Sequence, residues 1–312
     1  MRALALAVLL LDTGGAAGFD PTAVRQVRSV SPGAEQLYGV AVSPDGRWIA
    51  IGGDDATARL LDASGREVRK LSGHRSAVRR LAFSPDSKTL ATGGGDGHVR
   101  LWEVATGREK ADLTGHGNAI YGLAFSPDGA HLLSVAKEHA LYVWDVAAGK
   151  AAYISGAGRG FVLSCAWSPA GGRFATSAWD GGILTWTASP FGLGEGLPGE
   201  RGEGALWMAF TRDGSSIVSA WPDGKLQVWE AAKGKVPRTI DAHAGAINGF
   251  ALTKDGRFIV SADDSAVRVW SVGKGTLLSS CDHGSKGLTG LAMGPGAGFV
   301  TVGFDGLLRF WR

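Results

Sequence analysis

Acidic residues stand six places before a recurring apolar or tryptophan position at Asp55, Asp96, Glu138, Asp180, Asp223, Asp264 and Asp305. Hydroxyl side chains precede them at Thr92, Ser134, Thr176, Ser219, Ser261 and Thr301, and His74, His116 and His243 lie further upstream. Histidine, carboxylate and hydroxyl are the parts of a nucleophilic triad, and histidine with carboxylate is also a zinc ligand set. Either chemistry needs the groups to converge on one place. These groups recur once per unit along the chain, which spreads them apart. They therefore name no catalytic residue and no metal ligand.

What positions these groups is a repeat. The run Leu81-Ala82-Phe83-Ser84-Pro85-Asp86 returns at residues 40–45, 123–128, 165–169, 208–213, 250–255 and, degenerate, at 291–295. A second apolar run follows each copy and ends at Leu61, Trp102, Trp144, Trp186, Trp229, Trp270 and Trp311, at intervals of 41, 42, 42, 43, 41 and 41 residues. Within a unit every local signal is β. Residues 81–83, 89–92 and 99–102 are short apolar strands, Ser84-Pro85-Asp86 sets a turn, and 93–97 is a second turn of Gly and Asp. Thr106-Gly107 turns again into a fourth strand that ends at Leu113. Four short strands every 40–45 residues are the signature of a propeller blade. The chain is predicted to be all-β, a seven-bladed β-propeller over residues 19–312.

The repeat resembles the WD40 family, with Gly73-His74, Gly115-His116 and Trp144-Asp145 as its marker dipeptides. The resemblance covers residues 21–312. It implies a buried hydrogen-bond network in each blade, assigned here to His74, Thr92, Asp96 and Trp102, to His116, Ser134 and Trp144, and to His243, Ser261, Asp264 and Trp270. A buried indole or imidazole needs a partner, and a satisfied network ties strands together. Blades four and five lack the histidine, blade one lacks both His and Trp, and blade six is one residue short between Ser261 and Trp270. In most blades the last apolar residue of the fourth strand lies ten places before the next blade, as in Leu71/Leu81 and Leu113/Leu123. Val30/Val40 obeys the rule with no blade before it. Residues 24–30 are therefore expected to complete blade seven, which removes an exposed sheet edge.

Composition fits this reading. Gly is 49 and Trp is 11 of 312 residues, as many tight turns and a repeated large ring require. Net charge is +3, short of a nucleic-acid footprint, and the cluster Arg75, Arg79, Arg80 and Arg100 reads as a solvated face. Cys165 and Cys281 stand at aliphatic positions of separate blades, so no disulfide is expected. Gly194-x-Gly196-x-x-Gly199 has the spacing of a dinucleotide loop but lacks the helix that such a loop opens. Residues 189–204 read instead as an irregular link between blades four and five. No cofactor is implied. Residues 1–18, with Arg2 and an apolar run at 3–11, read as a secretory signal peptide, so the chain is expected to be exported if they are cleaved and cytoplasmic otherwise.

The resemblance also implies that residues before the first strand, and the residue before the acid, open onto one face around the channel. That gives Tyr38, Arg79, Arg80, Tyr121, Lys137, Trp179, Trp207, Trp221 and Phe304 as a candidate partner-binding patch, with packing into adjacent blades the equal alternative for Trp179 and Trp221. Aromatic and arginine side chains are the usual anchors of interfaces. The expected function is a non-enzymatic platform for a protein or peptide, monomeric or within a hetero-complex. The alternative is a small-ligand site or an enzyme in the channel, which would need a unique reactive cluster on one rim.

Overall fold

Short strands that alternate with Gly/Asp turns have nowhere to bury both faces unless sheets stack on one another. A computed structural model describes residues 19–138, 140–156, 160–180, 182–197, 204–231, 238–284, 287–294 and 298–312. Among these, the regular elements are all strands, arranged as seven four-stranded antiparallel sheets. Blades one to six span residues 37–72, 78–113, 120–156, 162–197, 207–241 and 249–282 in meander order. Blade seven joins residues 288–311 to Gln26–Val30.

Blade two shows why each segment takes its place. Thr89–Gly94 is buried along its whole length, whereas Glu109–Leu113 carries three charged residues, buries only Leu113 and forms the outer rim. The turn between the first two strands is fixed locally. Ser84 Oγ donates to Asp86 at 2.6 Å and accepts the Thr89 N–H at 2.9 Å. The same hydroxyl–Asp bond sets the turns at Ser43, Ser126, Thr211 and Thr253. The apolar side chains sort into seven clusters, one between each pair of neighbouring blades, so the core lies between sheets.

The ring closes as the ten-residue rule requires. Gln26–Val30 runs antiparallel to Leu308–Trp311, with Val30 opposite Leu308, and Arg25 and Arg312 exchange backbone bonds of 2.9 and 3.0 Å. Phe19 packs against Phe258 and Phe299 at centroid distances of 6.3 and 6.4 Å. The residues read as a signal, 1–18, lie outside the described residues.

Residues 189–204 depart from expectation. They hold the fourth strand of blade four, Phe191–Leu197, paired with Ile183–Ala188. Gly194 and Gly196 are strand residues, and Gly199 lies outside the described residues. A Cβ at Gly194 would sit 3.0 Å from the Thr185 carbonyl, so close backbone approach accounts for that glycine. Glycine-rich strands lack the alternation by which a strand is read.

Candidate partner-binding site at the channel mouth

The histidine–acid–hydroxyl residues form separate hubs inside the blades. In blade two Trp102 donates its indole N–H to Thr92 Oγ1 at 2.9 Å, His74 Nε2 meets the same hydroxyl at 2.8 Å, and His74 Nδ1 meets Asp96 at 3.1 Å. Blade three repeats this with Trp144 and His116 on Ser134, both at 2.7 Å, and with Glu138 on His116. Blades four, five and seven keep the tryptophan bond without a histidine on the hydroxyl, Trp186 to Thr176, Trp229 to Ser219 and Trp311 to Thr301. Burial is the first cause lowering the pKa of His74, His116 and His243, and it outweighs the adjacent carboxylates. Neutral rings follow, and at His74 and His116 the Nδ1–H donates to the acid while Nε2 accepts from the hydroxyl; His243 Nδ1 also meets the Arg268 guanidinium, which can only donate, at 3.1 Å. No nucleophile is exposed at these hubs.

Two assignments change. In blade six His243 Nε2 meets Ser261 at 2.8 Å, but its carboxylate partner is Asp263, at 3.2 Å, and not Asp264. Asp264 is exposed and accepts from Asn248 at 3.0 Å. In blade five Trp221 is buried and is no part of an open face. It donates its indole N–H to Ser219 at 2.8 Å, filling the bond that histidine makes elsewhere.

Both corrections have one cause. The residue two after the hub hydroxyl points inward, and the residue three after it points to the face. The inward column is Gly94, Ala136, Ala178, Trp221, Asp263 and Gly303, all buried. A Cβ at Gly94 would collide with the Asp96 carboxylate and His74 Nδ1. In the shorter hairpin of blade six, the Asp263 carboxylate enters the hub from that position. Burial alone would raise the Asp263 pKa, but the Ala266 and Ser265 N–H groups, the Ser265 hydroxyl and the His243 ring hold it at about 2.

The outward column includes Asp54, Lys137, Trp179, Asp264 and Phe304, all exposed. Phe304 and Asp264 join Tyr38, Arg79, Arg80, Tyr121, Trp207 and Asn248 around a cavity of about 360 Å³ at the mouth of the channel. Tyr38 meets Phe304 edge-on at 5.5 Å, and the Arg79 guanidinium lies 5.1 Å over Tyr38. Arg80 donates to the Tyr121 carbonyl at 2.6 Å and lies 4.7 Å over Trp207 of blade five. Lys137 and Trp179 lie off this cavity. Lys137 stands 5.6 Å over Phe161, whose carbonyl accepts the Trp179 N–H at 2.7 Å. Phe161 and Trp179 are 39% and 47% exposed, which makes a second aromatic patch; sequence reasoning missed Phe161, which precedes its strand by one residue. The basic cluster disperses, since Arg100 turns outward to Glu109 and Asp112 at 2.7 and 3.0 Å. Cys165 is buried behind Arg80, where desolvation raises its thiol pKa, and Cys281 lies half-buried on an outer strand.

The residue before the first-strand apolar position explains the shape of the mouth. It is Gly39, Gly122, Gly249 and Gly290 in four blades and Ser164 in a fifth, but Arg80 and Trp207 in the remaining two. A Cβ at Gly39 would stand 2.6 Å from the Arg79 carbonyl, so most blades exclude side chains there. Arg80 and Trp207, the two large side chains at this position, line the cavity.

A closed ring of seven meander sheets with hydroxyl-centred tryptophan hubs and a polar–aromatic mouth defines a β-propeller scaffold. The chain belongs to the WD40 family: the model described as WD domain, G-beta repeat, matches residues 25–62, 65–103, 107–145, 152–187 and 234–271. Propellers of this family are generally non-enzymatic platforms for protein interaction. A stretch of 53 residues is 42% identical to cilia- and flagella-associated protein 52 of Mus musculus. It spans 17% of this chain and 8% of that relative.

Proposed function

We propose that this propeller is a non-enzymatic platform that holds a protein or peptide at its channel mouth. The observation that carries the reading is the convergence of Tyr38, Arg79, Arg80, Tyr121, Trp207 and Phe304 from five blades around one cavity. Large, stiff aromatic rings beside arginines are the side chains that carry most binding energy per residue. The reactive-looking His–acid–hydroxyl sets are closed inside blades and support the reading indirectly. Affinity capture of the full chain followed by mass spectrometry tests it. A partner retained by the wild type and lost by Tyr121→Ala, with the variant folded, supports the reading; a partner set unchanged by Tyr121→Ala and Phe304→Ala contradicts it. The positive start and apolar run at 1–18 support an exported protein, and the intact mass of the secreted chain tests that.

A further inference from the structure

The arginines of this molecule divide by their partners. Arg59, Arg100 and Arg309 are each no more than a tenth exposed, and each is neutralised by a carboxylate: Asp55 with Glu67, Glu109 with Asp112, and Asp305. Half-buried Arg69, Arg238 and Arg268 bond backbone carbonyls instead, and so does Arg80, but Arg79 and Arg80 stand on the wall of the mouth cavity. Among the described residues neither has a carboxylate within ion-pair distance. Arg80 spends its bonds on two backbone carbonyls, Tyr121 at 2.6 Å and Arg79 at 3.0 Å. The Arg79 Nε is buried and has no hydrogen-bond partner. Burial first, and then the neighbouring Arg79 charge, pull the Arg80 pKa down to about 10. Arg79 and Arg80 are half-buried, and a guanidinium held partly out of water without a counter-charge is costly, a cost that a charge of opposite sign placed beside it recovers.

Among the described residues the one acid on the cavity wall is Asp264, which already accepts from Asn248 on the far side. Among the described residues lining the cavity, two cations stand against one anion, an excess of one positive charge that suits a single carboxylate. Around it stand Tyr121, Leu163, Leu206 and Trp207, which suit apolar neighbours of the charged group. Phe304, 47% exposed, extends the apolar wall beyond the cavity, where a chain crossing the rim would lie.

We propose, resting on the platform reading above, that the mouth recognises an acidic peptide segment, seating an Asp or Glu carboxylate against Arg79 and Arg80 with an apolar residue beside it on Tyr121 and Trp207. The carboxylate takes the donors that Arg79 and Arg80 leave unused, and the flanking side chain covers the rings.

A library of random twelve-residue peptides displayed on phage, panned over the full chain, tests this. The expected result is enrichment of sequences with Asp or Glu next to an aliphatic or aromatic residue. One such synthetic peptide should lose about tenfold or more in affinity on Arg79→Gln or Arg80→Gln, since a charge-assisted bond is removed. The same peptide with Glu→Gln should lose a similar factor against the wild type and little further against Arg79→Gln. Arg79→Gln, partly exposed, keeps the test open if Arg80→Gln fails to fold. Enriched peptides without acids that still depend on Tyr121 would overturn this proposal and leave the platform reading standing. Enrichment independent of every mouth residue, or no enrichment, would overturn both. A phosphoserine form binding more tightly than the Glu form would overturn the carboxylate assignment.

Discussion

The hubs and the mouth use tryptophan and charged side chains to opposite ends. At the hubs the chemistry repeats with the blade: six hydroxyls, from Thr92 to Thr301, each accept an indole N–H at 2.7–3.0 Å. At the mouth it departs from the repeat, where Arg80 and Trp207 replace the glycine or serine of the other five blades. What recurs holds the sheets together, and what departs from the pattern makes the face distinctive. Trp221 and Trp207 show the contrast within one blade. Trp221 repairs a missing histidine and is buried, while Trp207 lines the cavity beneath Arg80.

The comparison is broken most strongly at a hub. Trp102→Ala should lose about 3–5 kcal/mol, the usual cost of truncating a buried tryptophan, read from urea unfolding. A loss under about 1 kcal/mol would show that the hub contributes little. Asp263 and Asp264 sharpen the comparison between inward and outward columns. Asp263→Asn should lose about 1–3 kcal/mol because it weakens bonds to His243, Ser265 and Ala266, whereas Asp264→Asn should stay within about 0.5 kcal/mol. The reverse order would return Asp264 to the hub.

Acid should weaken the hubs too. His74, His116 and His243 have folded pKa values depressed below 6.5, so the unfolded chain takes up protons that the fold refuses. Stability is then full above pH 6.5 and falls as pH drops toward the folded values, by at most about 1.4 kcal/mol per pH unit for each histidine. Melting curves from pH 7.5 to 5.5 should shift down, and less so for His116→Gln. A rise on acidification would mean that the rings are protonated in the fold. The smallest effect belongs to the mouth: Phe304→Ala should change unfolding by no more than about 1 kcal/mol, because its ring is half exposed and meets Tyr38 at one edge.

The architecture was legible because the tryptophan interval survives even where the motif decays, and because Val30 kept its spacing from Val40. The strand Phe191–Leu197 was hidden since glycine at 192, 194 and 196 erases the alternation of faces. Counting back from Trp270 points to Asp264 as the hub acid, because the count ignores the residue missing from that hairpin. Whether Trp221 packs or faces outward stays open in the sequence, because side-chain direction at a turn depends on one position of register, which composition does not carry. Tyr38, Arg79, Arg80, Tyr121, Trp207 and Phe304 could be placed near one another by position alone, but their contacts could not. The rings that stack on Arg79 and Arg80 come from other blades.

A photo-crosslinking residue in place of Tyr121, compared with the same residue in place of Ile154, which is exposed on the outer strand Lys150–Gly156 of blade three, tests most directly whether the departures from the repeat form the working face. The account predicts a discrete crosslinked partner from position 121 and none from 154. Crosslinking from the rim position alone would place the partner elsewhere on the ring and contradict it.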